Sequence, residues 1–493
     1  MPMSLPASLR HSGDLSRHGA VRAGSVNPAF ARKALAAIPL AFLLNACATD
    51  LAPLPMTDVP QQWVGPVEAE ARVWPATDWW NSFANEELTA IIAQVQANNF
   101  DLANNQRNLE AAQLTLREAG FNLLPTPVVS IGTGAGYAET RSATLGNDSS
   151  GANTPFTLGA SFTYNDILSK PATFQRAVAD YDGRVAQAAD LALNTLGTAA
   201  STYFQLLLTR DKIEAAQQNV ANAEAIGAIA QARVNAGVAV PIEALQQQIA
   251  IERERNNLRS LVQNDLATRS SLALLQGRGV QGFDVMGQTL QTIEVPAVQP
   301  GLPSELLFRR PDLVQAEAAL RSANANVAVV RTDLFPQISL TGGVNASSTS
   351  LSELVASPDN VLQISAGLVQ TLLDNGQRFR NIEQARLGME SNLANYRRSV
   401  LGAFNEVEVL LSNIQLLEAQ SATALGNLNA AEESFRIAQV RYEEGVADYQ
   451  TVLQTQNTLF SSRNAWLDTK LLQLNAVVGL YQALGGGWEA PAN

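Results

Sequence analysis

Histidine and cysteine are almost missing from this chain of 493 residues, with two of the former and one of the latter. Both histidines, His11 and His18, lie ahead of a removable leader, so the mature chain carries no imidazole. That excludes Ser-His-Asp and Cys-His nucleophile systems, His-rich metal sites and any disulfide framework. Carboxylate or lysine chemistry is all that remains. Positive charge is short as well: 33 Lys+Arg against 45 Asp+Glu give a net charge of −12, the wrong sign for neutralising phosphates, so no nucleic-acid partner is expected. Charged residues of both signs reach only 16%, against a usual value of about 25%. Ala, Gln, Asn, Ser and Thr fill the gap, as on a surface that does not all face bulk water. There is no Gly-Lys dipeptide, hence no Walker A loop. No cofactor or metal is expected.

Long apolar runs are absent too. Arg32 and Lys33 precede an apolar stretch, Ala34 to Leu44, followed by Leu44-Asn45-Ala46-Cys47. A helical membrane span needs about 20 residues, so this stretch reads as the core of a secretory signal. The tetrapeptide ending in Cys47 resembles a bacterial lipobox, in which the cysteine is lipidated and becomes the first mature residue. Acyl chains there contribute ~0.8 kcal/mol per buried methylene, enough for a lasting anchor. Ala48 stands where, in the lipoproteins this resembles, an aspartate signals inner-membrane retention, which points to the outer membrane. The 31 residues before Arg32 suggest an overextended start, with Val26 as an alternative. No other apolar run approaches 18 residues, which excludes a spanning helix and leaves a β-barrel as the way into a membrane.

The mature chain repeats itself. Arg233, Gly237, Val238, Ala239, Leu245 and Gln246 recur 208 positions later as Arg441, Gly445, Val446, Ala447, Leu453 and Gln454. Asp101, Leu102, Leu123 and Pro125 recur as Asp312, Leu313, Leu334 and Pro336. Each repeat reads helix, strand, strand, helix, helix. In the strands Phe156, Leu158, Ala160, Phe162 and Tyr164 alternate with Thr157, Gly159, Ser161 and Thr163, and Leu362, Ile364, Ala366 and Leu368 with Gln363, Ser365 and Gly367. Val129 with Ile131, and Ile338 with Leu340, follow the same pattern more loosely. An apolar face opposed to a small polar face suits a transmembrane β-strand of about 9–11 residues, and equally a half-buried strand of a soluble sheet. Four strands cannot close a barrel, and an open edge in lipid is forbidden. Three copies would supply twelve strands, an even number within the known range. The intervening segments Glu139–Pro155 and Ala346–Asn360, rich in Ser, Thr, Asn and Gly, read as external loops.

The helices carry heptads: Leu393, Val400, Val407, Ile414, Leu428, Phe435 and Tyr442 in the second repeat, Val178, Val185, Ala192, Ala199, Leu206, Ile213 and Val220 in the first. From Gly376 to Glu444 is roughly 100 Å of helix at 1.5 Å per residue. The flanking segments Ser304–Leu334 and Tyr449–Leu484 together match it, as Asn85–Phe121 and Pro241–Gln276 together match Pro171–Ala236. Two short helices stacked end to end beside one long one imply a rod reaching away from the barrel.

Several segments resemble the TolC-like outer-membrane factors, in the NodT-type lipoprotein branch: Trp79-Trp80-Asn81-Ser82-Phe83, Leu302-Pro303-Ser304-Glu305 with Arg309-Arg310-Pro311-Asp312-Leu313, Arg441-Tyr442 with Gly445-Val446, and Gly485-Gly486-Gly487-Trp488. The resemblance covers essentially Cys47–Trp488. It implies a membrane α+β fold: a homotrimer whose twelve-stranded outer-membrane barrel, four strands per protomer, continues into a long α-helical coiled-coil periplasmic tunnel. It also implies a passive, non-enzymatic duct for drugs and other small molecules, docked on a periplasmic adaptor and an inner-membrane RND-type pump and embedded in outer-membrane lipid. Type I protein secretion and heavy-metal export stay open within that class. A lipid-anchored coiled-coil scaffold outside the membrane is the alternative of another class, and a carboxylate glycosidase the weakest.

By the same resemblance, the hairpin tips Arg233, Gly237, Val238, Ala239, Arg441, Gly445, Val446 and Ala447 contact the adaptor; the physical alternative is that Gly permits the turn and Arg caps carbonyls. Family members commonly place an aspartate where this chain has Gln454, which removes that acidic ring from the periplasmic constriction. Tyr442, Asp448 and Gln454 are the gate candidates, and Tyr442 and Asp448 also suit plain helix-end positions. The expected organisation is a leader at 1–46, a lipidated tether at 47–78, a first repeat at 79–281, a linker at 282–303, a second repeat at 304–488 and a tail at 489–493.

Overall fold

A computed structural model of the protein describes residues 60, 62–64, 74–133, 136–140, 149–153, 156–298, 300–301, 303–348, 350–356 and 359–488, all within one compact unit. The leader, Cys47 and the tail lie outside the described residues. After a 3-10 turn at Trp79–Phe83 come α1 (Glu86–Asn98), α2 (Phe100–Phe121), β1 (Thr126–Thr133), β2 (Gly136–Thr140), β3 (Ser149–Asn153), β4 (Phe156–Tyr164), α3 (Lys170–Asn235) and α4 (Pro241–Leu275). The second half has α5 (Pro311–Arg331), β5 (Gln337–Ser348), α6 (Leu351–Ala356), β6 (Asp359–Val369), α7 (Gln377–Glu443) and α8 (Tyr449–Ala483).

Several elements depart from the sequence expectation. The helix expected over Asn85–Phe121 breaks at Asn99, whose backbone is extended and whose side chain caps α2 by accepting from the Asp101 and Leu102 amides. Such a cap contributes about 1 kcal/mol. The segment expected as the first external loop contains β3 and the last two residues of its antiparallel partner β2, and the second carries β5 to Ser348 and the short α6. The seam buried within α3 runs through Ala179, Ala186, Leu193, Ala200 and Leu207, one residue beyond the expected track, of which only Ala199 and Leu206 are fully buried. α3 lies inside the wall with neighbours on both sides, so more than one track is covered. In α7 the expected track holds: Val400, Val407, Leu428, Phe435 and Tyr442 are buried.

The helices form a single-layer wall. Near the sheet the order is α2, α3, α5, α7; farther away α4 continues the line of α2 and α8 that of α5, giving α4, α3, α8, α7. One 18-residue stretch of α7 reaches a mean hydropathy of 1.2, apolar enough to cross a membrane, which the sequence reading had excluded. The helix as a whole runs 67 residues, roughly 100 Å, and its apolar residues Val400, Phe404, Val407 and Leu411 pack against Leu480 and Leu313.

Midway along the wall sits the main core. Trp79, Trp80, Phe83, Leu88 and Ile92 pack on Tyr203, Phe204 and Leu207 of α3 and on Val477 and Tyr481 of α8, closed over by Val285, Leu290 and Ile293. Trp79 stacks on Tyr481 with ring centroids 5.2 Å apart. Beside it Arg310 donates to Asp312 at 2.9 and 2.8 Å, to Glu406 at 2.7 Å and to the Ala483 carbonyl at 3.1 Å. Its charge joins the start of α5 to α7 and to the end of α8.

Candidate functional site

Two surfaces hold the predicted functional residues: the sheet and the far end of the wall. The sheet runs β1-β4-β5-β6, all antiparallel. Its register places Val129 opposite Ala160, Ala160 opposite Val344 and Val344 opposite Leu362; Ile131, Leu158, Ala346 and Asn360 form the next rank. One face therefore collects Val129, Ile131, Leu158, Phe162, Ile338, Leu340, Ile364 and Leu368. The other collects Ser130, Thr157, Ser161, Thr163, Ser339, Thr341, Asn345, Gln363 and Ser365, with Val128, Val361 and Val369 near the strand ends. Because side chains alternate with period two, a one-residue slip in any pairing would mix the faces. Ile131, Leu362 and Ile364 stay 83%, 70% and 72% exposed, an apolar face that nothing among the described residues covers. β1 and β6 are open edges.

At the far end, each long helix closes into a short turn. Gly237 has φ +76° and Gly445 φ +78°, a left-handed conformation that glycine adopts without strain. The amide of Val238 donates to the Arg233 carbonyl at 3.0 Å, and that of Val446 to the Arg441 carbonyl at 2.8 Å, the six-to-one bond of a Schellman end. Pro241 starts α4 at a position needing no amide proton, and Asp448 caps α8, accepting from the Thr451 amide at 2.7 Å and hydroxyl at 2.6 Å. Those two bonds hold the Asp448 carboxyl below the usual carboxylate range. Val238 and Val446 are exposed at the turns, with Ala239 and Ala447 half-buried beside them, while Gln454 is exposed on α8.

The two arginines, equivalent in sequence, differ in place. Arg441 is exposed. Arg233 is half-buried, donating to the Tyr442 carbonyl at 3.0 Å and lying over the Tyr442 ring at 4.8 Å, so it caps a helix end of the other hairpin. Tyr442 is buried and donates to Glu243 at 3.2 Å; burial, and then the Glu243 charge, push its hydroxyl up to about 12. Tyr449 donates to Gln247 at 2.8 Å, and Gln247 donates to the Ala223 carbonyl at 2.7 Å. These bonds tie α3, α4, α7 and α8 together just above the turns. Sequence reasoning missed Glu243, Gln247 and Tyr449. The available signal was Gln247 itself, which with Ala250 and Glu254 forms the buried stripe of α4, a polar residue where a core residue belongs.

At the waist, the face of α3 turned away from the aromatic core presents Thr198, Ser201, Thr202 and Gln205. With Thr268 and Ser271 of α4 and Asn475 and Gln482 of α8 they line an open groove of about 510 Å³ that carries no charged side chain. Among the described residues no group of three or more His, Cys, Asp or Glu side chains is placed to hold a metal ion.

Exposed large apolar side chains concentrate on the helices at the edges of the wall. α7 has Leu387, Leu401, Val409 and Leu416 among others, α4 has Ile242, Leu245, Ile249, Val262 and Leu266, and α2 has Leu114 and Phe121; among the described residues α3 has Leu191 and α8 has Leu472.

Comparison with known proteins gives a consistent set of likenesses. The family model described as outer membrane efflux protein matches residues 91–278 and again 302–486. The pyoverdine export outer membrane protein OpmQ of Pseudomonas putida is 32% identical over 465 residues, covering 92% of this chain and 98% of that protein. The cation efflux system protein CusC of Escherichia coli K12 is 27% identical over 462 residues, covering 91% and 99%. The crystal structure of the Campylobacter jejuni CmeC outer membrane channel superposes with a TM-score of 0.82 at 21% identity, covering 90% of this chain and 96% of that one.

Proposed function

The chain belongs to the outer membrane efflux protein family, and from that premise we propose that it is the outer-membrane duct of a tripartite efflux system, passing small molecules from a periplasmic adaptor and an inner-membrane RND-type pump to the cell exterior. As a member of that family it is an outer-membrane channel with a helical periplasmic tunnel, and not an enzyme. In our reading three copies close a twelve-stranded barrel, with the apolar sheet face toward lipid and the hydroxyl and amide face toward the lumen. The observation that carries this is the sheet: four strands with two chemically distinct faces and two open edges, in lipid, require closure by further copies. The apolar exposure of the edge helices supports closure along the tunnel as well. The double match of the family model supports an old duplication, with repeats at 79–281 and 304–488.

Cys47 is proposed as the lipidated first mature residue, tethered through 47–78. The tips are proposed as the adaptor contact through Val238, Val446 and Arg441; Arg233 is committed to Tyr442 and acts as a brace. Tyr442 and its partner Glu243 are proposed as part of the periplasmic closure, with Asp448 as a cap and Gln454 in place of an acidic ring. The OpmQ likeness favours a secreted soluble molecule over a protein cargo. Reconstitution into planar bilayers tests the whole: we expect ion-conducting channels and a heat-modifiable oligomer whose native mass equals three chains. A monomer without conductance would reject it. Binding of the adaptor to folded Gly445→Ala and Val446→Asp variants, undiminished, would reject the tip contact.

A further inference from the structure

At the waist α3, α4 and α8 part to leave the groove of about 510 Å³ whose lining carries no charge. That volume falls within the roughly 300–1,000 Å³ of small-molecule sites, most of which are apolar. This one is built of hydroxyls and amides. Two turns below it Lys212 of α3 bonds Asp468 of α8 at 2.6 Å, so the flanking helices are tied there and the two charges balance each other.

The hydroxyls are committed in one direction. Thr198 donates to the Asn194 carbonyl at 2.8 Å, Thr202 to that of Thr198 at 2.7 Å, Thr268 to that of Asn264 at 2.9 Å and Ser271 to that of Ala267 at 3.1 Å. A hydroxyl whose proton bonds its own helix has only lone pairs left to offer. Gln482 likewise donates its amide to Asn194 Oδ1 at 3.3 Å, and the Oδ1 of Asn475 is buried with no donor to accept from. Ser201, Gln205 and Asn475 keep their own donors, but acceptors outnumber donors around the groove.

The helix itself does not require this lining. α3 and α7 correspond at an offset of 208, and where α3 has Thr198, Ser201, Thr202 and Gln205, α7 has Glu406, Val409, Leu410 and Asn413. Thr195, Gly197, Thr198, Ser201 and Thr202 also crowd weak helix formers into little more than two turns. A methyl group at Gly197 would collide with the Gln482 amide, so the glycine makes room for that part of the lining.

We propose that the groove is a resting site for uncharged cargo rich in O–H and N–H donors, the chemistry of polyols and peptide amides. The aromatic core thickens the wall on the opposite face of α3, and a closed tube has room for that thickening only outside, so the groove faces the lumen. Three copies would set three such grooves at one height, ~54 Å above the turns, counting 36 residues from Ser201 to Gly237. The lining offers an anion only lone pairs and a cation no counter-charge. Neutral hydrogen bonds of modest net strength hold a solute briefly and release it, as a passive duct requires.

This proposal rests on the reading of the chain as an outer-membrane duct, and the test separates the two. Full-length protein in planar bilayers is exposed, on the barrel side, to maltohexaose or to polyethylene glycol of matching mass. Both are uncharged; the first carries many hydroxyl donors, and the second is a chain of ether acceptors. The sugar should interrupt the current with dwell times about tenfold longer than those of the glycol, the equivalent of one or two net hydrogen bonds. Thr198→Val with Thr202→Val keeps the volume and removes two acceptors. In that variant the sugar's dwell time should fall about tenfold, with conductance and trimeric mass as in the parent. Conducting channels that hold both polymers equally long, or a variant that leaves the sugar's dwell time unchanged, overturn the site and leave the duct standing. A monomer without conductance overturns the duct and the site with it. Should the valine pair fail to assemble, Ser201→Ala with Gln205→Met, both compatible with a helix, is held to the same outcomes.

Discussion

Placing arginine at two consecutive positions of β6 tests the assignment of sheet faces. Ile364 is the sixth of the eleven residues of β6, on the apolar face, paired with Gly342 and flanked by Leu362 and Ala366. Ser365, one residue on, lies on the opposite face, paired with Thr341. Both are exposed within the chain, so neither substitution overpacks a core. If the Ile364 face meets lipid near the bilayer midplane, Ile364→Arg costs about 2–4 kcal/mol. That is roughly a 30- to 1,000-fold loss in the folding equilibrium. Ser365→Arg meets water in the lumen and should change stability by no more than about 0.5 kcal/mol. It should instead shift ion selectivity toward anions, because three copies would line one ring of the pore. Folding into short-chain phosphatidylcholine vesicles, followed by urea titration and heat-dependent gel mobility, measures the first effect, and reversal potentials in planar bilayers the second. Equal destabilisation by the two variants, or a larger loss for Ser365→Arg, would refute the face assignment.

Tyr442→Phe keeps the ring under Arg233 but removes the bond to Glu243, and should lower stability by about 1 kcal/mol. The raised pKa means that the fold holds the neutral hydroxyl, so this contribution is complete below the ordinary tyrosine value near 10 and is lost as pH climbs through about 12. Thermal melts from pH 9 to 12 should therefore fall less steeply in the variant, and parallel curves would show that Tyr442 is not the group responsible. Arg310→Ala leaves Asp312, Glu406 and the Ala483 carbonyl without their shared donor, at a cost of about 2–4 kcal/mol because the partners are only partly buried; an unchanged denaturation midpoint would remove Arg310 from the account of the waist. Gln454→Asp should strengthen block of the channel by multivalent cations, and equal block of parent and variant in bilayer recordings would mean that Gln454 does not face the conduction path.

The strands were legible from sequence because the two faces of a single-layer sheet differ in chemistry and side chains alternate between them, so Phe156 to Tyr164 alternates without interruption. The long helices were legible because heptads sustained over so many turns have no other use. The break at Asn99 was not, since an asparagine within a helical pattern reads as ordinary until its side chain is seen capping α2. The shifted seam of α3 was not, because periodicity reports that apolar tracks exist and leaves open which neighbour covers which. At the tips Gly237 and Gly445 were readable from the turn they permit, while the division of labour between Arg233 and Arg441 was invisible. It depends on Arg233 reaching the carbonyl and the ring of Tyr442 in the other hairpin.

The residues that carry the family resemblance are neither in the sheet nor chiefly at the tips, and their placement has a physical cause. A tube wall of antiparallel helices is held by many similar small contacts, any one of which can be replaced by another apolar residue of like volume. The waist differs, because there the end of α8 must cross the start of α5 and the turn before α1. Gly485, at φ +84°, passes against the Arg309 carbonyl, and Gly487, at φ +76°, against the backbone of Ala76 and Thr77, so a methyl group at either would collide with main chain. Arg310 then needs Asp312 and Glu406 to balance its charge, and Trp79 needs Tyr481 to stack on. Each of these requirements is met by a narrow set of residues, whereas Val407 or Leu428 can be exchanged. The signature therefore marks where the two halves of the chain are fastened.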